Sequence, residues 1–456
     1  MDFKHFSDLL KKLSENNKRT NKVLILRDFI KDNEENLELV GFILDVISGN
    51  FYREIGKKDY NISLKTVFDV ISETYNVTRE KVENYFNRIG DIGKVTLNFY
   101  KERSLLNKEK LTVELLKSTL IKISRISGSN SNKIKKELLM KLLSSCETTE
   151  ESFFLTRIFI NDLRIGVAEG VIKEALSNYF LSNILNVNNL CNNCGYINLS
   201  NNICFNCNKD IDKDQNFVYD KYEVKIYENK KNLINYFYVS KNEDLSDREL
   251  YNLKLKIIEE KYNLINNFTL FIKDFLENKE NIFIKEIKLG RPIKCMLGIK
   301  VKSVKEALKD MKKPYFADFK YDGLRLQIHK EKDFVKIFSR NLEDITDKFP
   351  EVVEFFKSNF ENVSFVLDSE GVGYDYNNLK FLPFQEFSKR FQSKNYEEVK
   401  NIKMIVRAFD ILYFNGETLI DKKYKKRREI LEKLFLNANL KQKNYFDEKV
   451  IKKLFE

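Results

Sequence analysis

The chain has 456 residues, 43% of them hydrophobic, with only four prolines and fifteen glycines, which argues against a disordered or repetitive protein. Its net charge of +12 favours nucleic acid as a partner, although a solvated basic surface accounts for the surplus equally well. No apolar run approaches the roughly 20 residues that cross a bilayer, and the N-terminus lacks a signal-peptide pattern, so we expect an intracellular protein with no membrane partner.

The first 182 residues are predicted to be helical. Apolar residues recur at i, i+3 and i+4, and turn-like segments such as ISGNF and ISGSNSNK separate the periodic stretches. These stretches are FSDLLKKL, KVLILRDFI, LKTVFDVISETY, LTVELLKSTLIKI and IKKELLMKLLSS. We therefore expect residues 1–182 to form one all-α domain.

Two short glycine motifs lie within this helical region, GDIG at 90–93 and LRIG at 163–166. Gly90 and Gly93 would let the backbone approach a ligand closely. Arg164 and Gly166 have two explanations. One is a helix N-terminus with a solvated arginine, and the other is an arginine and backbone-amide contact to a phosphate.

Four of the six cysteines fall within residues 183–215, in a C-x2-C-x9-C-x2-C pattern. They are Cys191, Cys194, Cys204 and Cys207. Four thiolates in two close pairs can complete a tetrahedral zinc site, and a site with all positions filled is structural. The alternative is a set of free or oxidised cysteines in an asparagine-rich loop.

Residues 216–288 combine predicted strands, FVYDKYEVKIYEN and YFYVS, with a predicted helix, LSDRELYNLKLKIIEEKYNLI. A linker, KLGRPIKCMLG, follows, and the region 289–456 is β-rich. Its predicted strands are FADF, LRLQIH, DFVKIFSR, SFVLDSEGV and MIVRAFDILYF. Two helices are predicted among and after them, EDITDKFPEVVEFFKSNF and DKKYKKRREILEKLFL, the second with Asp421 as its N-cap.

Lys320, in the stretch FADFKYDGLRLQIHK, is the candidate nucleophile. A lysine amine attacks only when deprotonated, and desolvation or a nearby cation lowers its pKa. Arg325 is close in sequence, and Asp322 and Gly323 form a predicted turn that would place the amine at a pocket mouth. The expected electrophile is a carbonyl or an activated phosphorus. The only histidines are His5 and His329. Neither has a carboxylate or serine constellation in the sequence, so both are predicted to be structural.

Two further stretches favour an activated phosphorus over a carbonyl as the electrophile. Asp368 and Glu370, at i and i+2 of a predicted strand, share one face and suit Mg²⁺, which takes one or two carboxylates plus phosphate oxygens. Phe409 offers a ring on which a base could stack. Lysine, arginine, a magnesium carboxylate and an aromatic platform together describe attack on a nucleoside triphosphate.

KYDGLR resembles the Lys-x-Asp-Gly-x-Arg motif of ATP-dependent DNA ligases and mRNA capping enzymes. The order of ADFKYDGLRLQIH, VKIFSRNLEDIT, FVLDSEGV, RAFDILYFNGETL and YKKRREILEKLF is similar to three-domain ATP-dependent DNA ligases of eukaryotes, archaea and large DNA viruses. GDIGKV and FLTRIFINDLRIGVAEGVIKEAL resemble that family's helical DNA-binding domain, and RPIKCMLG resembles the start of its adenylation domain. The resemblance implies that the two glycine motifs contact DNA, through Gly90, Gly93, Arg164 and Gly166.

The resemblance implies a multidomain α + (α+β) protein. An all-α DNA-binding domain would occupy 1–182 and continue through 216–288, interrupted by the zinc-binding insertion. An antiparallel-sheet nucleotidyltransferase (adenylation) domain would occupy 289–456. That family's domain continues with a glutamate strand, a two-lysine strand and an OB-fold, none of which is found after Phe435. We therefore expect the C-terminal part to be absent and the chain to be a fragment of a longer ligase.

The resemblance also implies residue roles. Lys320 would take AMP as a phosphoramidate, and Asp318 stands where the family usually has a glutamate that reads the adenine amine. The remaining implied roles are ribose and phosphate binding by Arg325 and Arg340, metal or ribose binding by Glu370, and adenine stacking by Phe409.

The implied function is an ATP- and Mg²⁺-dependent DNA ligase that seals nicks in duplex DNA during replication, repair or recombination. The family favours a monomer, acting in the nucleus or at a viral or cytoplasmic replication site. Two alternatives stay open from sequence. One is a capping-type guanylyltransferase or RNA ligase, and the other is a non-catalytic nick-binding remnant of a ligase.

Overall fold

A computed structural model places the chain in two compact units, residues 1–284 and 285–456. It describes residues 1–51, 62–100, 110–126, 130–182, 246–277, 284–310, 318–375, 380–392 and 402–437, with residues 282 and 316 and short strands between 184 and 240. None of the helices in these ranges is long and apolar enough to span a membrane.

The first unit is mainly helical. Its described helices are α1 (Phe3–Glu15), α2 (Arg19–Asp32), α3 (Leu37–Ile47), α4 (Leu64–Tyr75), α5 (Arg79–Ile89), α6 (Ile92–Phe99), α7 (Val113–Arg125), α8 (Ser131–Ser144), α9 (Thr149–Phe159), α10 (Glu169–Phe180), α11 (Asp247–Ile265) and α12 (Phe268–Glu277). The five periodic stretches are confirmed as α1, α2, α4, α7 and α8, and the predicted helix of 216–288 as α11.

Local sequence explains where several helices begin. Capping boxes open α9 and α11, in which a Thr or Ser side chain and a Glu three residues later satisfy each other's backbone amides. The apolar periodicity does not predict helix α3, because nearly all its residues are buried and it lacks a polar stripe. Asp45 of α3 accepts hydrogen bonds from the amides of Phe268 (2.6 Å) and Thr269 (2.9 Å), which ties it to the first turn of α12.

Short strands lie between α10 and α11. They are β1 (Ile184–Asn186), β2 (Asn189–Leu190), β3 (Ile197–Asn198), β4 (Val218–Tyr219), β5 (Tyr222–Glu228) and β6 (Asn235–Ser240). Strands β4, β5 and β6 pair antiparallel in order, which confirms the strands predicted here. The four cysteines of the predicted zinc site lie outside the described residues.

The second unit is built on an antiparallel sheet of order β12-β11-β9-β7-β8, with β10 paired to β9. Its elements are α13 (Val304–Asp310), β7 (Leu324–Glu331), β8 (Phe334–Ser339), α14 (Pro350–Asn359), β9 (Phe365–Asp375), β10 (Lys380–Phe381), α15 (Phe384–Gln392), β11 (Lys403–Phe414), β12 (Glu417–Thr418) and α16 (Tyr424–Asn437). Four of the five predicted strands are confirmed as β7, β8, β9 and β11.

Two predictions in this unit are wrong. The described residues of FADF lie in no strand, because β7 begins only at Leu324, after the glycine turn. Asp421 does not cap the last helix, since α16 begins at Tyr424 and the Asp421 carboxylate instead pairs with the Lys285 ammonium at 3.0 Å.

The sheet has a packed face and an open face. Leu326, Leu367 and Ile411 are fully buried in one hydrophobic core with Phe356 of α14 and Leu431 of α16. Side chains alternate along each strand, so the neighbours of these residues project to the other side. That side, called the open face below, carries the predicted nucleotide site.

Candidate functional site

Strand register brings the predicted site residues together on the open face. Arg325 of β7 lies directly opposite Glu370 of β9, and Gln327 lies opposite Asp368. Lys320 is exposed in the loop four residues before β7. Burial raises the pKa of Glu370, and the positive charges of Arg325 and Lys320 oppose that rise. The candidate nucleophile and this carboxylate therefore share one electrostatic environment.

Arg325 holds two partners at once. Its Nε donates to Oδ1 of Asp368 at 2.6 Å, and its Nη2 donates to the other carboxylate oxygen. The same guanidinium lies over the Phe409 ring, 4.8 Å from the ring centre. Burial raises the pKa of Asp368, while Arg325 opposes the rise. Both oxygens of Asp368 are thus engaged by an arginine, whereas the sequence pairs Asp368 with Glu370 as a magnesium ligand.

The glycine after Asp322 is required by a close backbone approach. A Cβ built on Gly323 would lie 2.2 Å from the carbonyl oxygen of Gly371 on β9. A non-bonded carbon and oxygen never come that close. The obstructing oxygen belongs to the backbone of a paired strand and cannot turn aside, so no side chain fits at position 323. Gly323 therefore brings the Lys320 loop directly against the strand that carries Glu370.

Side chains near the start of helix α16 hydrogen-bond to strand β11 and hold it in place. A bulge interrupts the pairing of β11 with β9 between Ala408 and Asp410. Arg427 donates to both oxygens of Asp410 at 2.8 Å, and the Tyr424 hydroxyl donates to the Phe409 carbonyl at 3.0 Å. The basic helix thus anchors the stretch of backbone that carries Phe409, a role that its position in the sequence did not reveal.

The other two predicted nucleotide contacts lie at the edges of this region. Asp318 is partly exposed, and its carboxylate lies 3.6 Å from Nη1 of Arg428 on α16. Arg340 is exposed immediately after β8, and its charge acts on the thiol of Cys295. Burial raises the pKa of that thiol.

His329 is structural, as predicted. The Gly290 amide donates to its Nδ1 at 3.2 Å, so Nε2 carries the proton and donates to Oε1 of Gln327 at 3.0 Å. Gln327 in turn binds the amide of Ile293 at 2.7 Å and its carbonyl at 3.2 Å. Burial lowers the pKa of His329 to about 3. The alternating polar residues of LRLQIH are the signal that identifies this network, which ties segment 290–293 to the open face.

The two glycine motifs of the first unit meet in space. Nη1 of Arg164 donates to the Gly90 carbonyl at 2.8 Å. Gly90, Arg164 and Gly166 all have positive φ, at 66°, 51° and 63°. Since α10 begins only at Glu169, the interpretation of LRIG as a helix N-terminus is wrong.

Gly93 has a different role from the one predicted. It is buried inside α6, and a Cβ built on it would lie 2.7 Å from the Phe153 ring and 3.0 Å from Nε of Arg157. The missing side chain therefore makes room for packing between α6 and α9, and the expectation that Gly93 lets DNA approach its backbone is wrong.

Within the described ranges, no group of three or more histidine, cysteine or acidic side chains could hold a metal ion. Glu370 offers a half-buried carboxylate beside the Lys320 loop.

Comparison with known proteins gives consistent matches along the chain. The profile described as "DNA ligase N terminus" matches residues 2–177, and that described as "ATP dependent DNA ligase domain" matches residues 295–454. A DNA ligase of Nanoarchaeum equitans is 29% identical over 95% of this chain and 64% of its own length. A DNA ligase of Methanococcus maripaludis is 31% identical over 96% of this chain and 65% of its own length. The chain thus spans slightly under two thirds of these curated relatives.

One solved structure also matches locally. The structure titled "mycobacterial DNA ligase D complexed with ATP and MES" shares 29% identity over 27% of this chain and 38% of its own, with a TM-score of 0.22.

Proposed function

The chain belongs to the ATP-dependent DNA ligase family, and from that premise we propose that it is the DNA-binding and nucleotidyl-transfer part of an enzyme that seals nicks in duplex DNA. One observation carries the proposal. Four residues from a loop and three paired strands converge on the open face of one sheet. They are Lys320, Arg325, Glu370 and Phe409.

The first step is attack of the Lys320 amine on the α-phosphorus of ATP. A nitrogen–phosphorus bond forms, the bond to the bridging α–β oxygen breaks, and pyrophosphate leaves while the lysine proton passes to solvent. Glu370 is the residue that would hold Mg²⁺, because one carboxylate with phosphate oxygens suffices for this ion. The metal, when bound, offsets phosphate charge. We assign Asp368 the role of holding Arg325 rather than of binding metal.

The remaining contacts position the nucleotide. Phe409 would stack on the adenine, and Arg325, fixed by Asp368, would meet ribose or phosphate as the nucleotide displaces it from the ring. Asp318 would reach the adenine amine beside Arg428, and Arg340, which is exposed, would reach phosphate. Positioning and charge supply most of the rate in such transfers.

Two later steps complete sealing. The AMP moves from Lys320 to the 5′-phosphate at a nick, and the adjacent 3′-hydroxyl then displaces it. These steps need duplex DNA, for which we propose the junction of Gly90, Arg164 and Gly166 as a backbone contact. We further propose that the protein acts as a monomer in replication, repair or recombination.

The test is self-adenylation. The chain is incubated with Mg²⁺ and either ATP or GTP labelled at the α-phosphate, and covalent label is measured after denaturation. We expect label from ATP alone, its loss in Lys320→Ala, and its retention in Lys336→Ala, which removes a lysine on β8 paired with Asp344. Label from GTP would instead favour a capping-type enzyme. No label with either nucleotide would favour a non-catalytic nick-binding protein.

We also propose that Cys191, Cys194, Cys204 and Cys207 hold one structural zinc ion, on the strength of their spacing. Elemental analysis of the purified chain should give one zinc per molecule and none in Cys194→Ser. An absence of zinc from the unmodified chain would refute this.

A further inference from the structure

The junction of the two glycine motifs is held together by cations that donate to backbone carbonyls. Arg157 binds both oxygens of Asp91 and donates to the Leu163 carbonyl at 2.9 Å. Asp91 also caps α6. Lys22 of α2 reaches the same loop, where its Nζ donates to the Ile165 carbonyl at 2.6 Å.

Lys22 is the unusual member of this group. It is only 7% exposed, and its second hydrogen bond goes to the Gly166 carbonyl at 3.1 Å. A Cβ on Gly166 would lie 2.7 Å from Nζ, so the glycine leaves just enough room for the ammonium. A buried lysine normally has a carboxylate partner, because two carbonyl dipoles only partly replace hydration.

The charges around the loop do not cancel. The three arginines nearby each face a carboxylate: Arg19 pairs with Glu174, Arg157 with Asp91, and Arg164 with Asp162. Among the residues that the structure describes, no carboxylate lies within ion-pair distance of Lys22. Within the part of the chain that the structure describes, the loop therefore carries one buried positive charge that no ion pair offsets.

The same hydrogen bonds set the direction of two amides. In a trans peptide the C=O and the N–H of one unit point in opposite directions. The carbonyls of Ile165 and Gly166 turn inward to Lys22, so the N–H groups of Gly166 and Val167 point away from it. Gly166 is exposed, and neither amide donates to any described residue. Successive backbone N–H groups that point the same way in a turn can form an anion-binding concavity.

We propose that Lys22 is the positioning residue of a phosphodiester site formed by the amides of Gly166 and Val167 together with the Arg164 side chain. This inference rests on the proposed function and names the ligand as a backbone phosphate of duplex DNA. The buried ammonium fixes the loop with its amides outward and supplies the charge that the phosphate balances. Arg164, whose side chain is about half exposed, closes one side of the site.

The test compares nicked-duplex binding by the full chain and its Lys22→Met variant, by fluorescence anisotropy at several KCl concentrations. We expect affinity to fall at least about tenfold, and the slope of log K against log salt to shrink by about one, the change for one phosphate contact. Self-adenylation of Lys320 should be unchanged, since the residues of the proposed nucleotide site belong to the other unit. Lys22→Arg should recover part of the affinity.

Lys173→Met is the matched control. Lys173 is equally buried in the same unit but is paired with Glu169, so its loss should lower thermal stability without changing the salt slope. If Lys22→Met does not fold, Gly166→Ala replaces it, because the added methyl would displace the ammonium and strain the backbone. The same loss of binding is expected.

The outcomes distinguish a failure of the proposed function from a failure of the role given to Lys22. If the unmodified chain does not bind nicked duplex at all, the proposed function of the first unit fails. If it binds, and the folded Lys22 or Gly166 variant binds with unchanged affinity and slope, only the role of Lys22 is wrong.

Discussion

At the scale of single residues, Arg325 is the centre of the proposed nucleotide site because it contacts Asp368 and Phe409 together. An arginine fixed by a bidentate carboxylate loses little further side-chain freedom when it meets a ligand. The pair lies half-buried on the open face, where each charge depends on the other for compensation.

We expect Asp368→Asn to lower self-adenylation by about 10- to 100-fold, because Arg325 would lose one charged partner and its fixed position. The Mg²⁺ concentration for half-maximal rate should stay constant while the KM for ATP rises. Glu370→Gln should instead raise the Mg²⁺ concentration for half-maximal rate and leave the KM for ATP constant. A higher Mg²⁺ requirement in Asp368→Asn would mean that Asp368 is a metal ligand after all.

His329 predicts a pH dependence of stability. Its pKa is lowered from 6.5 to about 3, so the folded state holds the proton less tightly than the unfolded chain. The stability contributed by the neutral ring is fully present above pH 6.5 and is lost as the pH falls towards 3. Urea unfolding of the second unit should therefore show a slope of up to about 1.4 kcal/mol per pH unit in this window.

His329→Gln should flatten that slope and cost more stability at pH 7.5 than at pH 4.5. His5→Gln is the control, since His5 stacks on Phe29 in the first unit. An unchanged slope in His329→Gln would show that other groups cause the pH dependence.

At the scale of elements, sequence predicted what repeats locally and missed what depends on pairing. The alternation in FVLDSEGV correctly puts Asp368 and Glu370 on one face. The engagement of Asp368 by Arg325 could not be predicted, because it depends on the register of strands 43 residues apart. FADF alternates like a strand, yet its described residues lie in no strand, and α3 lacks the periodicity that identifies a surface helix.

Gly323 tests how tightly the Lys320 loop is held against β9. Gly323→Ala would force a methyl group to within 2.2 Å of the Gly371 oxygen, so the loop or the strand must move. We expect self-adenylation to fall by at least about 100-fold, since displacement of a reacting group by about 1 Å is that costly. Gly298→Ala, in an exposed segment where nothing lies within 4 Å of the added carbon and φ is not positive, should retain activity. Retention of activity in Gly323→Ala would show that the contact is loose.

At the scale of the whole molecule, the net charge of +12 and the two separate units predict two different responses to salt. Duplex binding that engages six to ten phosphates should weaken by about a thousandfold or more between 50 and 200 mM salt. Self-adenylation should weaken far less, because ATP offers only three phosphates. Parallel titrations of anisotropy and of covalent label measure both, and equal sensitivities would contradict separate sites.

The order of strands also has a consequence for synthesis on the ribosome. Lys320 emerges first, the β7–β8 hairpin forms locally, and Phe409 is added about 90 residues later, roughly 5–20 s at ordinary elongation rates. During that interval the nascent chain has the candidate nucleophile but lacks the ring on which we propose that adenine stacks. On the proposed function, nucleotidyl transfer therefore cannot begin until β11 has joined the sheet beside β9.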